Sequence, residues 1–239
     1  MKRLFTHNAV LFFFFVAIVL SLAACQNAEE LYNKGMLYIN GEGVEKNIEK
    51  GLSFLKQSAQ KGNLLAVKEV ADVLYSQGDV EEAIIWYNKS IQAGDASSAR
   101  MLGYAYMYGD EHVKQDYVKS VQYNEKAIEL EQNQAAPYFL LGICYYLGHG
   151  VNIDYSKAAE YFRRGADLND PLSLYNLGIC YMNGKGVLRD QDNALVYIKK
   201  AADLGQEDAI NYLDEMEREW ERQERERDIL DLLLQLLLL

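Results

Sequence analysis

Apolar positions recur at helical spacing along most of the chain, in blocks of similar length. In residues 172–205, Leu174, Leu177 and Tyr181 stand at i, i+3 and i+7, one stripe on one helix face. Gly184-Lys185-Gly186 breaks that helix, because glycine reaches positive φ without a steric cost. Asp190 is placed to cap a second helix, whose apolar face reads Ala194, Leu195, Tyr197, Ile198 and Ala201, and Gly205 supplies the stop. The pattern predicts helix, loop, helix. Neither helix can bury its stripe alone, so the unit gains a core only by stacking on copies of itself.

Four further copies lie upstream. A small residue in the middle of each first helix recurs as Gly35, Ala71, Gly103, Gly142 and Gly178. Glycine there costs roughly 0.5–1 kcal/mol of helix propensity, so its recurrence predicts a site where the partner helix comes too close for a side chain. The second-helix cap recurs as Asn47, Asp79, Asp116, Asp154 and Asp190, four residues before Gly51, Ala83, Ser120, Ala158 and Ala194. Those small residues are 32, 37, 38 and 36 positions apart, and the stop eleven residues later reads Gly62, Gly94, Glu131, Asn169 and Gly205.

Gly41-x-Gly43-Val44, Gly148-x-Gly150-Val151 and Gly184-x-Gly186-Val187, each leading to an Asx cap and an A-x-x-Y-x-x-x-A-like helix, resemble the Sel-1-like repeat. The resemblance covers residues 28–206. It implies an all-α fold of the tetratricopeptide type, a right-handed α-solenoid of about five helix-loop-helix repeats that serves as a scaffold for protein partners. Two copies depart from the pattern: Ser76-Gln77-Gly78-Asp79 is a shortened turn, and Gly109-Asp110-Glu111-His112-Val113 is one glycine short.

The N-terminus has a different character. Lys2 and Arg3 precede the apolar run Leu11–Leu22, and Leu22-Ala23-Ala24-Cys25 matches a bacterial lipobox. Residues 1–24 are therefore expected to be a lipoprotein signal peptide, with Cys25 diacylated and residues 25–27 forming a short tether. The run Ala9–Ala24 is 16 residues, short of the roughly 20 that span a bilayer. Gln26 after the cysteine favours, by analogy with lipoproteins, the outer membrane, facing the periplasm or the surface. Cleavage removes two of the 24 Lys+Arg and none of the 35 Asp+Glu, so the net charge moves from −11 to −13. Such a surface repels nucleic acid and anionic lipid, which excludes nucleic-acid binding and leaves anchoring to the acyl chains.

Candidate chemistry is sparse. Cys144 and Cys180 occupy the same slot in consecutive repeats, and stacked helices lie about 8–10 Å apart, beyond the roughly 7 Å a disulfide allows. Two free, buried thiols are expected. Within the family, a cysteine-rich branch pairs cysteines inside each repeat and is associated with penicillin binding, but no repeat here holds two. His112 and His149 both fall in loops and are expected to face solvent. No catalytic residue, cofactor or metal site is assigned. The G-x-G triplets follow helices rather than strands and read as turns, not phosphate cradles.

If first helices line a concave side, as the resemblance implies, the positions three before, one after and four after the recurring small residue face the groove. Tyr32, Met36, Tyr75, Arg100, Tyr104, Met107, Phe139, Tyr146, Tyr175 and Met182 are the candidate partner contacts, with Lys68, Asp72, Ile143 and Ile179 beside them. Eighteen tyrosines is a heavy load for one chain, and tyrosine combines area, a hydroxyl and little rotamer entropy to lose. The alternative use of each ring is inter-repeat core.

Residues 207–239 continue the register as a capping helix: Ala209 and Leu213 fall where a sixth first helix would place them, but Asp214 replaces the small residue. The helix then becomes charged almost all round. Its end, Ile229–Leu239, is leucine-rich and too short to span a membrane. Self-association or partner contact, docking on the protein itself, and insertion at a bilayer interface are the three fates open to it, in that order. Two functions follow: a membrane-anchored lipoprotein scaffold that binds a protein or peptide, and, in competition, a cell-envelope enzyme of β-lactam or peptidoglycan hydrolase type.

Overall fold

A computed structural model of the chain describes residues 27–237. The expected signal peptide of residues 1–24, the expected lipid-attachment residue Cys25, and Leu238–Leu239 lie outside the described residues. Eleven α-helices and no strand occur among those residues: α1 (27–40), α2 (Ile48–Gln60), α3 (Leu64–Gln77), α4 (Val80–Gln92), α5 (Ala96–Tyr108), α6 (Tyr117–Leu130), α7 (Ala135–Leu147), α8 (Tyr155–Asp167), α9 (Pro171–Asn183), α10 (Gln191–Asp203) and α11 (Glu207–Leu237). The first ten form five successive pairs. They fall into two compact units, one reaching Leu102 and including Gly109–Lys114, the other comprising Gly103–Tyr108 and the chain from Gln115.

The second helix of each pair starts as its sequence requires. Asn47, Asp116, Asp154 and Asp190 accept a hydrogen bond from the backbone N–H three residues on, satisfying one orphan donor of the first turn. In the same four repeats the cap's own N–H donates to the carbonyl of Tyr38, Tyr106, Tyr145 or Tyr181, which ties the loop back to the first helix. Asp79 departs from the set and makes no side-chain cap bond, because the short turn leaves it with φ −80° and ψ 56°. Four of the five stops are left-handed, with Asn169 at φ 59° the only non-glycine among the described residues to adopt positive φ. Glu131 is the exception; it ends α6 in extended backbone at φ −149°.

The recurring mid-helix glycine marks a close approach. A Cβ on Gly35 would meet Leu55 at 2.8 Å, one on Gly142 the Phe162 ring at 2.5 Å, and one on Gly178 Ile198 at 2.7 Å. In each case the intruding side chain lies four residues after the small residue of the second helix, itself buried. That interlock forms the core of the repeat.

Candidate partner-binding surfaces

Within the second unit, Phe139, Ile143 and Tyr146 of α7 and Tyr175, Ile179 and Met182 of α9 lie partly buried against the core of the fourth and fifth repeats. Their spacing of three and four keeps each trio on one helix face. Tyr146 is edge-on to Tyr155 at 5.3 Å and tilted against Phe162 at 6.4 Å. Lys185, from the loop after α9, donates to the Tyr146 hydroxyl at 3.1 Å and sits over the Tyr146 and Tyr155 rings at 4.6 and 4.8 Å. The Tyr146 hydrogen bond raises the pKa of Lys185, so the cation is secure at one end of the strip. Burial raises the Tyr175 phenol, and the nearby Asp208 adds to it. The strip is thus aromatic and apolar, with a cation beside Tyr146 and carboxylates beside Tyr175.

Tyr104, on α5, is 59% exposed and tilted against Tyr108 at 4.7 Å. Met107 is a correction to the sequence reading, since it is buried rather than presented. It packs with Val121, Leu140 and Leu141, and the Cys144 thiol donates to its thioether at 3.9 Å. The physical reason is that the position four after Gly103 turns into the neighbouring first helix, where a thioether fills core space.

The corresponding positions of the first unit are more polar. Tyr32 and Met36 on α1 are half-buried, and Arg100 is exposed. Burial raises the Tyr32 phenol, with Glu69 contributing. Tyr75 is already engaged: its hydroxyl donates to Asp110, and its ring meets Tyr87 and His112 edge-on at 6.2 and 5.4 Å. Tyr87 donates to Asp72 at 2.7 Å, and Lys68 donates to the same carboxylate. Burial opposes the Lys68 charge, but Asp72 outweighs it and leaves the ammonium pKa raised. The Asp110 carboxyl is likewise held low despite burial, by Tyr75 and the backbone N–H groups of Val113 and His112.

Much of the tyrosine load proves to be structural. Tyr38/Phe54, Tyr106/Tyr123, Tyr145/Tyr161 and Tyr181/Tyr197 stack within their repeats at 5.6–5.8 Å with interplanar angles of 3–23°. Each pair stands three residues after the mid-helix glycine and three after the second helix's small residue. Lys50, Lys119 and Lys157 sit over Tyr38, Tyr106 and Tyr145 at 4.2–5.0 Å. Burial, with Tyr145 next, pushes the Tyr161 phenol up to about 12. The recurrence of an aromatic at both positions was the available signal, and it points to within-repeat pairs rather than to a groove.

The thiols of Cys144 and Cys180 are free and buried, as the spacing predicts. The loop histidines do not face open solvent. His112 packs on Tyr75, and His149 stacks on Tyr117 at 4.1 Å with its Nδ1 buried and unpartnered. Both loops fold back on the preceding repeat, which covers the rings. Among the described residues, no group of three His, Cys, Asp or Glu side chains is arranged to hold a metal ion.

Paired helices at a period of 32–38 residues, interlocked through a mid-helix glycine, define a helical-repeat protein. The model of the Sel1 repeat matches residues 31–63, 71–95, 96–131, 138–170 and 171–206, and the chain belongs to that family. It is 27% identical over 170 residues to the Sel1-repeat-containing protein YjcO of Escherichia coli strain K12, covering 56% of this chain and 74% of that one. A protective antigen of uropathogenic Escherichia coli strains, solved with an SLR fold, superposes with a TM-score of 0.64 at 29% identity. That match covers 76% of this chain but only 39% of the antigen. A Sel1 repeat protein from Oxalobacter formigenes gives a TM-score of 0.60 at 29% identity, covering 78% and 77% of the two chains. Solenoids of this family typically act as scaffolds for protein–protein interaction.

Proposed function

We propose that this chain is a lipid-anchored scaffold of a bacterial envelope, tethered through Cys25, that binds a protein or peptide with the first-helix face of its repeats. The observation that supports binding is the half-exposed strip of Phe139, Ile143, Tyr146, Tyr175, Ile179 and Met182 on α7 and α9. Rigid aromatic rings backed by a core contribute contact area with little rotamer entropy to lose, and Lys185 supplies a fixed cation beside them. Anchoring is supported by the lipobox and the basic, then apolar, leader.

A photo-crosslinking side chain at Tyr175 should yield a discrete protein adduct in cells, whereas the same probe at Tyr197, in a within-repeat stack, should not. Equal labelling from both positions would remove the first-helix reading. Labelled palmitate should enter the chain and be lost in Cys25→Ser. Turnover of a chromogenic β-lactam by the purified chain would favour the competing hydrolase.

A further inference from the structure

We propose that α11 beyond the last repeat is a docking seam for a helix of another protein whose apolar stripe is edged by basic side chains. It concerns α11 beyond Leu213, not the strip on α7 and α9.

The seam begins inside the fold. Ala209 is fully buried, and Tyr212 and Leu213 pack against the core of the fifth repeat. Continuing from Ala209, positions 213, 216, 220, 223, 227, 230 and 234 follow at alternating steps of four and three, the spacing of a coiled-coil seam. Past Leu213 that face is exposed among the described residues. Met216 is 39% exposed, Trp220 59%, Leu230 57% and Leu234 50%. A face that closes the last repeat therefore runs on, still apolar at four of six positions, into solvent. Another helix of the same repeat type cannot extend the stack here. Asp214 stands in the slot where Gly103, Gly142 and Gly178 let a second helix approach.

Charge selects the occupant. The positions flanking the seam are Glu217, Glu219, Glu224 and Glu226, all exposed. Gln223 and Arg227 are the two polar seam positions; of the other arginines, Arg218 reaches Asp214 at 3.8 Å and Arg225 reaches Glu221 at 3.5 Å, away from the seam. Arg222 reaches one edge residue, Glu219, at 2.7 Å. In a parallel pairing with a second copy, Glu219 would face the other copy's Glu224. An antiparallel pairing sets Glu against Glu along both edges. Like charges at these positions oppose association, and they equally oppose an anionic bilayer. A helix with Leu-type residues at the seam and Lys or Arg on its edges meets each carboxylate with a cation.

The test uses two synthetic 28-residue heptad peptides with Leu at both seam positions, one carrying Lys and the other Glu at all edge positions. Each is titrated into the full chain with Trp86→Phe, so that Trp220 is the only indole. The Lys-edged peptide should blue-shift Trp220 and bind at least tenfold more tightly than the Glu-edged one, with the advantage shrinking in salt. The E217K/E219K/E224K/E226K variant, altered only at exposed positions, should reverse the preference. Equal binding of both peptides, or of neither, overturns the proposal. So does a dimer in sedimentation that the Lys-edged peptide fails to dissociate, or tighter binding to neutral phosphatidylcholine vesicles than to that peptide.

Discussion

At the scale of single residues, four of the five repeats are organised around a side chain that is missing. The slot opposite the mid-helix glycine is filled by Leu55, Asn124, Phe162 and Ile198 in four repeats, while the second repeat carries Ala71, so one backbone geometry accepts very different groups. Asn124 is the costly choice: its amide donates to the Ser120 carbonyl at 2.9 Å, yet its Oδ1 is buried without a partner. The buried cysteines give a titration that can be checked. Burial pushes both thiols up to about 11, whereas an unfolded cysteine ionises near about 8.5. The unfolded chain thus loses its thiol protons first, and the stability these groups contribute, complete below about 8.5, falls as pH rises towards 11. Urea unfolding midpoints should decline across that window, and Cys144→Ala/Cys180→Ala should decline less. Alkylation of either thiol at pH 8 should await unfolding.

At the scale of the element, the loops carry more packing than their composition suggests. Gly186 and Gly43 occupy equivalent positions and share φ near 73°, so an alanine at either is strained by about 1–2 kcal/mol. Their surroundings differ. A Cβ on Gly186 would lie 1.9 Å from the Tyr155 carbonyl oxygen at the start of α8, while one on Gly43 meets nothing within 4 Å. Gly150 repeats the crowding against Tyr117 at the start of α6. The second glycine of the triplet is therefore a contact between one repeat's loop and the preceding repeat's second helix, and among the described residues no repeat precedes the one that holds Gly43. Gly186→Ala should cost at least 2 kcal/mol more than Gly43→Ala in chemical denaturation. Equal losses would leave only the backbone strain they share.

At the scale of the whole molecule, the two units differ in the surface they offer: a hydrogen-bonded polar network around Asp72 and Asp110 in one, an aromatic strip on α7 and α9 in the other. Residues 214–230 of α11 are exposed throughout and add no buried side chain to either. Deleting residues 216–239 should accordingly shift the melting temperature of the repeats by less than about 2 °C, followed by circular dichroism. A larger fall would mean that the seam is closed by the protein's own repeats and is not open to a partner.

The helix pairs, their caps and the mid-helix glycines were legible in the sequence because they are local: 3.6-residue periodicity, Asx capping and glycine's steric freedom act within a turn or two, and repetition averages out the exceptions. What failed was allocation of the aromatic rings. Tyr75 and Met107 occupy the same repeat position as Tyr146 and Met182, yet the first is held by Asp110 and His112, the second is core, and the last two remain half-open. Sequence by itself determined that the chain is a set of stacking helix pairs. Tertiary structure alone decided which rings are spent on stacking and which are left for a partner, because that depends on the neighbouring repeat's side chain and on loop length, neither of which acts at short range along the chain.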